Sequence, residues 1–117
     1  MITPEFAARF EYPPPVLSAD VDAINIETSQ DYENAFTIRN TGGGTLEGRV
    51  TSNSPCFEFT PDTFRANTAI IRYRFTRGVY KPGDEAAASV TIASNGGEKI
   101  VPAAVRITPP AITTQGL

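Results

Sequence analysis

The sequence of 117 residues contains no histidine, no tryptophan and only one cysteine, Cys56. Without histidine, the chain lacks the side chain that most often acts as a general base or binds a metal ion at neutral pH. Ser-His-Asp and Cys-His catalytic arrangements are therefore excluded. A single cysteine forms neither an intrachain disulfide nor a multi-thiolate metal site. We expect Cys56 to be a structural residue, with a reactive thiol as the alternative, because reactivity requires a neighbouring base or a helix N-terminus.

Positive charge and long apolar runs are also scarce. The chain has 10 Lys and Arg against 13 Asp and Glu, which gives a formal net charge of −3. This balance offers no general attraction for nucleic acid or anionic lipid, so we expect neither as a partner. The apolar runs are too short for a membrane-spanning helix, and residues 1–9 lack the pattern of a secretory signal. We therefore expect a cytoplasmic protein, with the cell surface as the alternative.

Ten prolines and nine glycines divide the sequence into short segments. None of these segments holds the helical apolar period for ten residues, whereas several alternate apolar and polar residues. Alternation of this kind is typical of a strand with one buried and one exposed face. The clearest example has Ile71, Tyr73 and Phe75 in alternation with Arg72 and Arg74. The other alternating segments are residues 35–40, 46–51, 88–93 and 101–107.

Turn residues separate these segments at regular intervals. Asn95-Gly96 predicts a two-residue type I′ hairpin turn, and Pro82-Gly83 predicts a type II turn. Pro102 interrupts a strand pattern, which predicts a position at an edge or a bulge. The segments and turns together predict an all-β, immunoglobulin-like sandwich of seven to eight antiparallel strands with Greek-key connections over residues 10–108. We expect residues 1–9 to be an extension with at most one helical turn, and residues 109–117 to be a linker.

Several stretches carry a family resemblance. They are residues 10–12 with Pro14, then 36–44, 71–75, 82–84 and 94–98. In this order they resemble the N-terminal domain of a family of large proteins of unknown function from Firmicutes, the DUF5717 type. More broadly, the Phe-x-Ile-x-Asn-x-Gly and Ser-Asn-Gly-Gly-Glu stretches are similar to bacterial immunoglobulin-like sandwiches related to major-sperm-protein and ASH domains. The resemblance covers about residues 9–108 and implies the sandwich fold, a longer parent chain and no enzymatic role.

Acidic pairs and a glycine run are the features that invite a catalytic or ligand-binding interpretation. The acidic pairs are Asp20 with Asp22, Asp31 with Glu33, and Asp84 with Glu85. All of them lie in or beside predicted turns, where Asp caps the backbone, so we expect solvated turn residues rather than a cation site or acid–base chemistry. The run at residues 42–44 is not followed by Gly-Lys-Ser/Thr and a helix, so it predicts a turn rather than a phosphate cradle. We expect no cofactor and no metal.

Arginines at outward strand positions are the candidate binding residues. They are Arg39, Arg49, Arg72, Arg74 and Arg106. If their strands are neighbours, they form a guanidinium-rich sheet face that suits an acidic protein or a neighbouring domain of the same chain. We expect them rather to pair across strands with Glu47, Glu58 and Glu98, with the docking face as the alternative.

We therefore expect a non-catalytic interaction or spacer module of a larger bacterial protein. A carbohydrate-binding module is the alternative, because such sandwiches stack sugars on exposed aromatic rings. Its candidate rings are Tyr12, Tyr32, Phe57, Phe59 and Tyr80. We expect these rings to serve ordinary loop and edge packing instead.

Overall fold

A computed structural model describes residues 13–110, which form nine β-strands and no helix. The strands are β1 (Leu17–Ala19), β2 (Ile24–Thr28), β3 (Tyr32–Asn40), β4 (Glu47–Ser52), β5 (Phe57–Thr60), β6 (Thr63–Arg65), β7 (Thr68–Phe75), β8 (Glu85–Ser94) and β9 (Gly97–Ile107). The predicted all-β sandwich is confirmed, although residues 13–110 form nine strands rather than seven or eight. The predicted helical turn before residue 10 and most of the predicted linker lie outside the described residues.

The strands form two facing sheets with connections that cross between them. The first sheet has the order β1-β3-β7-β5, and the second has the order β2-β9-β8-β4-β6. Every neighbouring pair is antiparallel except β2 and β9, which are parallel. The chain leaves the first sheet after Ala19 and enters the second at Ile24. This change of sheet brings β2 beside β9 and accounts for the parallel pair.

The core lies between the sheets and is built from the alternating segments. Phe36, Ile38, Ile71, Tyr73 and Phe75 of the first sheet are all buried, as their period of two predicts. The second sheet contributes Ile24, Ile26, Val50, Val90, Ile92, Val101, Ala103, Val105 and Ile107. Each fully buried side chain of this size stabilises the fold by about 1.5–3 kcal/mol relative to an exposed one.

An extended segment of residues 13–16, which we call the proline strap, closes one end of the sandwich. Asn40 holds it, because its Oδ1 accepts the Val16 N–H at 3.0 Å and the Gly42 N–H at 2.9 Å. The Asn40 Nδ2 also donates to the Gly43 carbonyl at 2.9 Å. A Cβ on Gly42 would lie 2.2 Å from the Pro14 carbonyl oxygen, so the strap needs glycine there. The glycine run is therefore a packing surface for backbone.

The hairpin between β8 and β9 supports the same end but differs from the prediction. A type I′ turn requires positive φ at both central residues. The positive φ instead falls on Gly97, at 120°, and not on Gly96. The Asn95 side chain bonds to β4, because its Oδ1 accepts the Glu47 N–H at 2.9 Å. A Cβ on Gly96 would lie 2.9 Å from the Pro15 carbonyl carbon, so the strap and hairpin contact each other directly. The predicted type I′ turn is therefore wrong.

Two prolines occupy positions that agree with their chemistry. Gly83 follows Pro82 with φ of 92°, and the Asp84 N–H donates to the Lys81 carbonyl at 2.9 Å, as in a type II turn. Pro102 lies in β9 opposite Ser89, whose backbone groups bond with Asn53 on the far side of β8. The β2 pairing begins one residue later, at Ala103. Pro102 thus lies where the ladder has no need for its missing N–H.

Candidate functional site

The acidic pairs serve the backbone and surface ion pairs. The Asp20 carboxylate accepts the Thr37 N–H at 2.7 Å, and the Asp84 carboxylate accepts the Lys81 N–H at 2.7 Å. Asp22 pairs with Lys99 at 2.9 Å. Within residues 13–110, no group of three or more Asp, Glu or Cys side chains is arranged to hold a metal ion. These carboxylates are therefore turn and capping residues in the structure.

Cys56 is half-buried beside Tyr80 at the end of the sandwich opposite the strap. The nearby Cys56 sulfur and, to a smaller extent, burial raise the pKa of Tyr80. The Tyr80 ring stacks on Phe75 with a centroid distance of 5.9 Å. The ring is thus engaged in packing. Among residues 13–110, no Lys or Arg side chain forms a hydrogen bond with Cys56.

The five candidate arginines do not share one face, so they do not form a single guanidinium-rich sheet face. Arg39, Arg72 and Arg74 lie on the outer face of the first sheet, on β3 and β7. Arg49 and Arg106 lie on the outer face of the second sheet, on β4 and β9. The sequence pattern showed that all five point outward, but it does not show which strands are neighbours.

Arg74 is neutralised by acids around it. Its Nη2 lies 2.6 Å from the Asp31 carboxylate, and Glu33 and Glu58 flank it on the adjacent strands. The hydrogen bond from Arg74, supported by the Arg77 N–H, holds the pKa of Asp31 below its usual value. Of the predicted cross-strand partners, Glu58 therefore lies beside a candidate arginine, whereas Glu47 pairs with Arg65 at 3.0 Å. This end of the face carries more negative than positive charge.

The other end of the same face carries an exposed aliphatic side chain between arginines. Ile70 is 60% exposed at the surface of β7. Arg72 lies two residues after Ile70 on β7 and has Ala35 and Thr60 as cross-strand neighbours. Arg39 lies on β3 opposite Thr68, two residues before Ile70. No ion pair to either arginine occurs in the part of the chain that the structure describes. We call Arg39, Ile70 and Arg72 the Ile70 patch.

Sequence reasoning missed Ile70, although a signal for it was present. Ile70 and Ile71 are adjacent, and the alternation that buries Ile71 turns its neighbour outward. An exposed Ile beside two arginines at outward positions of a strand pair would have drawn attention to this surface.

The second sheet offers a different outer face. Arg106 lies between Glu27 and Glu85 on the adjacent strands, and its Nη1 is 4.0 Å from the Glu27 carboxylate. Small side chains beside them leave an open concavity of about 620 Å³. Ile100, also 60% exposed, lies elsewhere on this face. Arg49 has only Thr63 and Ala93 as cross-strand neighbours.

The aromatic rings do not form a sugar-stacking platform on the described surface. The large apolar side chains that are exposed between residues 13 and 110 are Val16, Ile70, Val79 and Ile100, none of them aromatic. Tyr32 packs near Tyr73 with a centroid distance of 6.5 Å. Phe57 is buried, Phe59 is half-buried, and Tyr12 lies outside the described residues.

The fold and these surfaces define an immunoglobulin-like β-sandwich of the kind found in PapD-like, ASH and major-sperm-protein domains. The model of a family of unknown function, the DUF5717 N-terminal family, matches residues 7–116. The chain therefore belongs to that family, as its motifs predicted. No functionally curated protein matches the sequence. Residues 13–110 contain no helix that could cross a lipid bilayer.

Solved structures show the same fold at low sequence identity. The ASH/PapD-like domain 7 of human CEP192 matches with 10% identity and a TM-score of 0.65, over 81% of this chain and 87% of that one. The E. coli chaperone DraB matches with 17% identity and a TM-score of 0.64, over 86% of this chain and 58% of that one. SSP-19 from Caenorhabditis elegans, an MSP-domain protein like family member, has 15% identity and a TM-score of 0.58, over 76% of this chain and 98% of that one. The chain thus spans little more than half of the chaperone structure.

Proposed function

We propose that this domain is a non-catalytic interaction module that docks an acidic protein surface, in a separate protein or a neighbouring domain of the same chain, against the Ile70 patch. The observation that carries the proposal is an Ile 60% exposed between two arginines that find no acidic partner among residues 13–110. Protein interfaces favour this combination, because an aliphatic side chain supplies desolvated area and arginine supplies planar hydrogen bonding to carboxylates.

Charge on the rest of the face gives the docking a direction. Arg39 and Arg72 make the Ile70 patch basic, whereas Asp31, Glu33 and Glu58 surround Arg74, the next outward residue of β7. An acidic segment is attracted to one end and repelled from the other, which orients a partner as it approaches. Similar sandwiches described as chaperones support an interaction role, although their identities of 17% and 15% to this chain show only the shared fold.

The test compares two matched double variants in affinity capture from a native lysate. Ile70→Asp/Arg72→Glu reverses the proposed surface, and Ile100→Asp/Arg49→Glu makes the same changes on the opposite sheet. Ile70 and Ile100 are both 60% exposed, so the two variants carry comparable loss of surface and charge. We expect proteins captured by the wild type and the control to be lost from the Ile70 variant.

Affinity for an identified partner gives the quantitative form of this test. Interface residues that matter cost more than about 1–2 kcal/mol when altered, so we expect at least about tenfold weaker binding for the Ile70 variant. Binding should also weaken with added salt, because the docking is electrostatic. Identical captured proteins for all three forms, or affinity lost equally in the control, would contradict the proposal.

A carbohydrate-binding role has no comparable support, because the exposed apolar side chains between residues 13 and 110 are aliphatic. Sugar modules of this architecture present flat rings to solvent. We therefore keep the protein-docking function as the one that the geometry supports.

A further inference from the structure

β2 is the longest edge strand in the described part of the chain, and no side chain there caps its outer edge. The exposed edge of β3 is blocked, because the Asp20 carboxylate accepts the Thr37 N–H at 2.7 Å and the Asn34 Oδ1 accepts the Ala35 N–H at 2.8 Å. The remaining edge strands, β1, β5 and β6, have only three, four and three residues. Natural sheets usually protect such edges, so an unprotected five-residue edge suggests a use.

The direction of the backbone groups on β2 follows from its contact with β9. The Thr28 carbonyl accepts the Thr108 N–H at 2.9 Å, so Thr28 turns its backbone groups towards β9. Backbone groups alternate along a strand, so Ile24 and Ile26 do the same, and Asn25 and Glu27 turn theirs outward. Their side chains lie exposed on the outer face of the sheet. The edge thus offers two N–H and two C=O groups at the spacing of an antiparallel ladder.

We propose that two copies of this chain associate by antiparallel pairing of β2 with β2, which joins their second sheets into one continuous sheet. With Ile26 opposite Ile26 of the second copy, Asn25 lies opposite Glu27 of that copy. Both are outward-directed residues, so each such pair exchanges two main-chain hydrogen bonds. The two-fold axis repeats the pair, which gives four bonds in all.

Side-chain chemistry selects this register and a second copy as the occupant. The Asn25 amide donates to the Glu27 carboxylate across the junction, which is a favourable cross-strand pair. A register centred on Glu27 would place two carboxylates opposite each other, and a register centred on Asn25 would leave Glu27 without this partner. Arg106 lies 4.0 Å from Glu27 and moderates its charge. The strand is therefore complementary to itself in one register, as an isologous contact requires.

Space for a second strand is available, because β2 ends the second sheet and no described strand lies beyond it. The contact involves the second sheet, so it leaves the Ile70 patch on the first sheet free. The association is independent of the function proposed above.

The experiment measures self-association by sedimentation equilibrium over a concentration series of the whole chain. We expect a reversible dimer for the wild type. Asn25→Glu places two carboxylates opposite each other twice in the dimer and should weaken association by about tenfold, whereas Asn25→Lys should strengthen it by a similar factor. Asn25 is exposed and its neighbour on β9 is Ala104, so neither change disturbs the fold.

Two controls assign the effect to the strand edge. Thr51→Glu adds the same charge to an exposed residue of β4, inside the same sheet, and should leave the dimer constant unchanged. The double change Asn25→Glu/Glu27→Asn restores a carboxylate opposite an amide and should recover wild-type association. A wild type that stays monomeric at all concentrations, or a dimer indifferent to both substitutions at Asn25, would overturn the proposal.

Amide hydrogen exchange distinguishes a second copy from a segment of the same chain. In the proposed dimer, protection of the Asn25 and Glu27 N–H groups rises with protein concentration. Protection that is high and independent of concentration would assign the edge to an intramolecular segment and would also overturn the proposal.

Discussion

The strap end of the sandwich and the outer face of the first sheet differ in how their polar side chains are used. At the strap end, the Asn40 amide bonds to the backbone of neighbouring loops and to the Asn67 side chain, and Gly42 admits a carbonyl oxygen where no side chain would fit. On the outer face, Arg39 and Arg72 leave their guanidinium groups without an ion pair among residues 13–110. The first region is satisfied internally, and the second is available to a partner. Substitutions should therefore change stability in one region and binding in the other.

The largest effect on stability is expected for Gly42→Ala. The added Cβ would lie 2.2 Å from the Pro14 carbonyl oxygen and 2.9 Å from Val16 N, so the strap has to move. We expect a loss of about 3 kcal/mol in the free energy of unfolding, the upper end for an overpacked site. Chemical denaturation measures it. A variant as stable as the wild type would show that the strap does not depend on this close approach.

Gly83→Ala separates this steric clash from the cost of backbone conformation. No atom lies within 4 Å of a Cβ built on Gly83, but its φ is 92°. We expect a cost of about 1–2 kcal/mol from the positive φ alone. A cost equal to that of Gly42→Ala would mean that crowding adds nothing at the strap.

Asn40→Ala should have the next effect at the strap end. It removes the acceptor for the Val16 and Gly42 N–H groups and the donor to the Gly43 carbonyl. These groups are partly open to water, so we expect a loss of about 2 kcal/mol rather than the full cost of several buried unpaired groups. Asn53→Ala, which removes one side-chain acceptor from Ser89 N–H, is the control and should cost less. Equal losses in the two variants would contradict the central role of Asn40.

The acidic end of the outer face should show a modest dependence of stability on pH. The pKa of Asp31 is lowered from its ordinary value of 3.8, chiefly by the hydrogen bond from Arg74. A lowered folded-state pKa gives stability that is present above the unfolded pKa and is lost as pH falls through the folded pKa. We expect Asp31→Asn to be less stable than the wild type at neutral pH, and the difference to shrink below about pH 4. A difference that is constant with pH would contradict the contribution of this pair.

The smallest effect on stability is expected at the Ile70 patch. Ile70→Ser removes a side chain that is 60% exposed, so the free energy of unfolding should change by no more than about 0.5 kcal/mol. Thermal denaturation of Ile70→Ser is compared with that of Ile71→Ser. The second variant should lose much more stability, because Ile71 is 0% exposed and its replacement buries a hydroxyl without a hydrogen-bond partner. A large loss of stability for Ile70→Ser would show that the patch has a structural role instead of a docking role.

Local periodicity predicted the fold better than it predicted the surfaces. Ile71, Tyr73 and Phe75 are buried where their alternation placed them, because the period of a strand depends only on the strand itself. The grouping of the arginines depends on which strands are neighbours, and loops of similar composition permit several strand orders. The division of Arg39, Arg72 and Arg74 from Arg49 and Arg106 therefore required the topology.

The turn type and the change of sheet also could not be predicted from the alternating pattern, because both depend on contacts with other strands. Asn95-Gly96 has the composition of a type I′ turn, but its Asn side chain bonds to β4 and the positive φ moves to Gly97. The change of sheet after Ala19 likewise depends on space beside β9, which the sequence of β1 does not encode. The DUF5717 motifs did identify the family. In the structure, Asn40 and Gly42 of the Phe-x-Ile-x-Asn-x-Gly motif bond to each other beside the strap.

The parallel contact between β2 and β9 has a mechanical consequence. These strands lie close to the two ends of the described chain and run in the same direction over five residue pairs. Tension applied at the ends pulls them in opposite directions along their length. The hydrogen bonds between them are then loaded together in shear instead of being opened one after another. A domain arranged in this way should resist stretching along this direction.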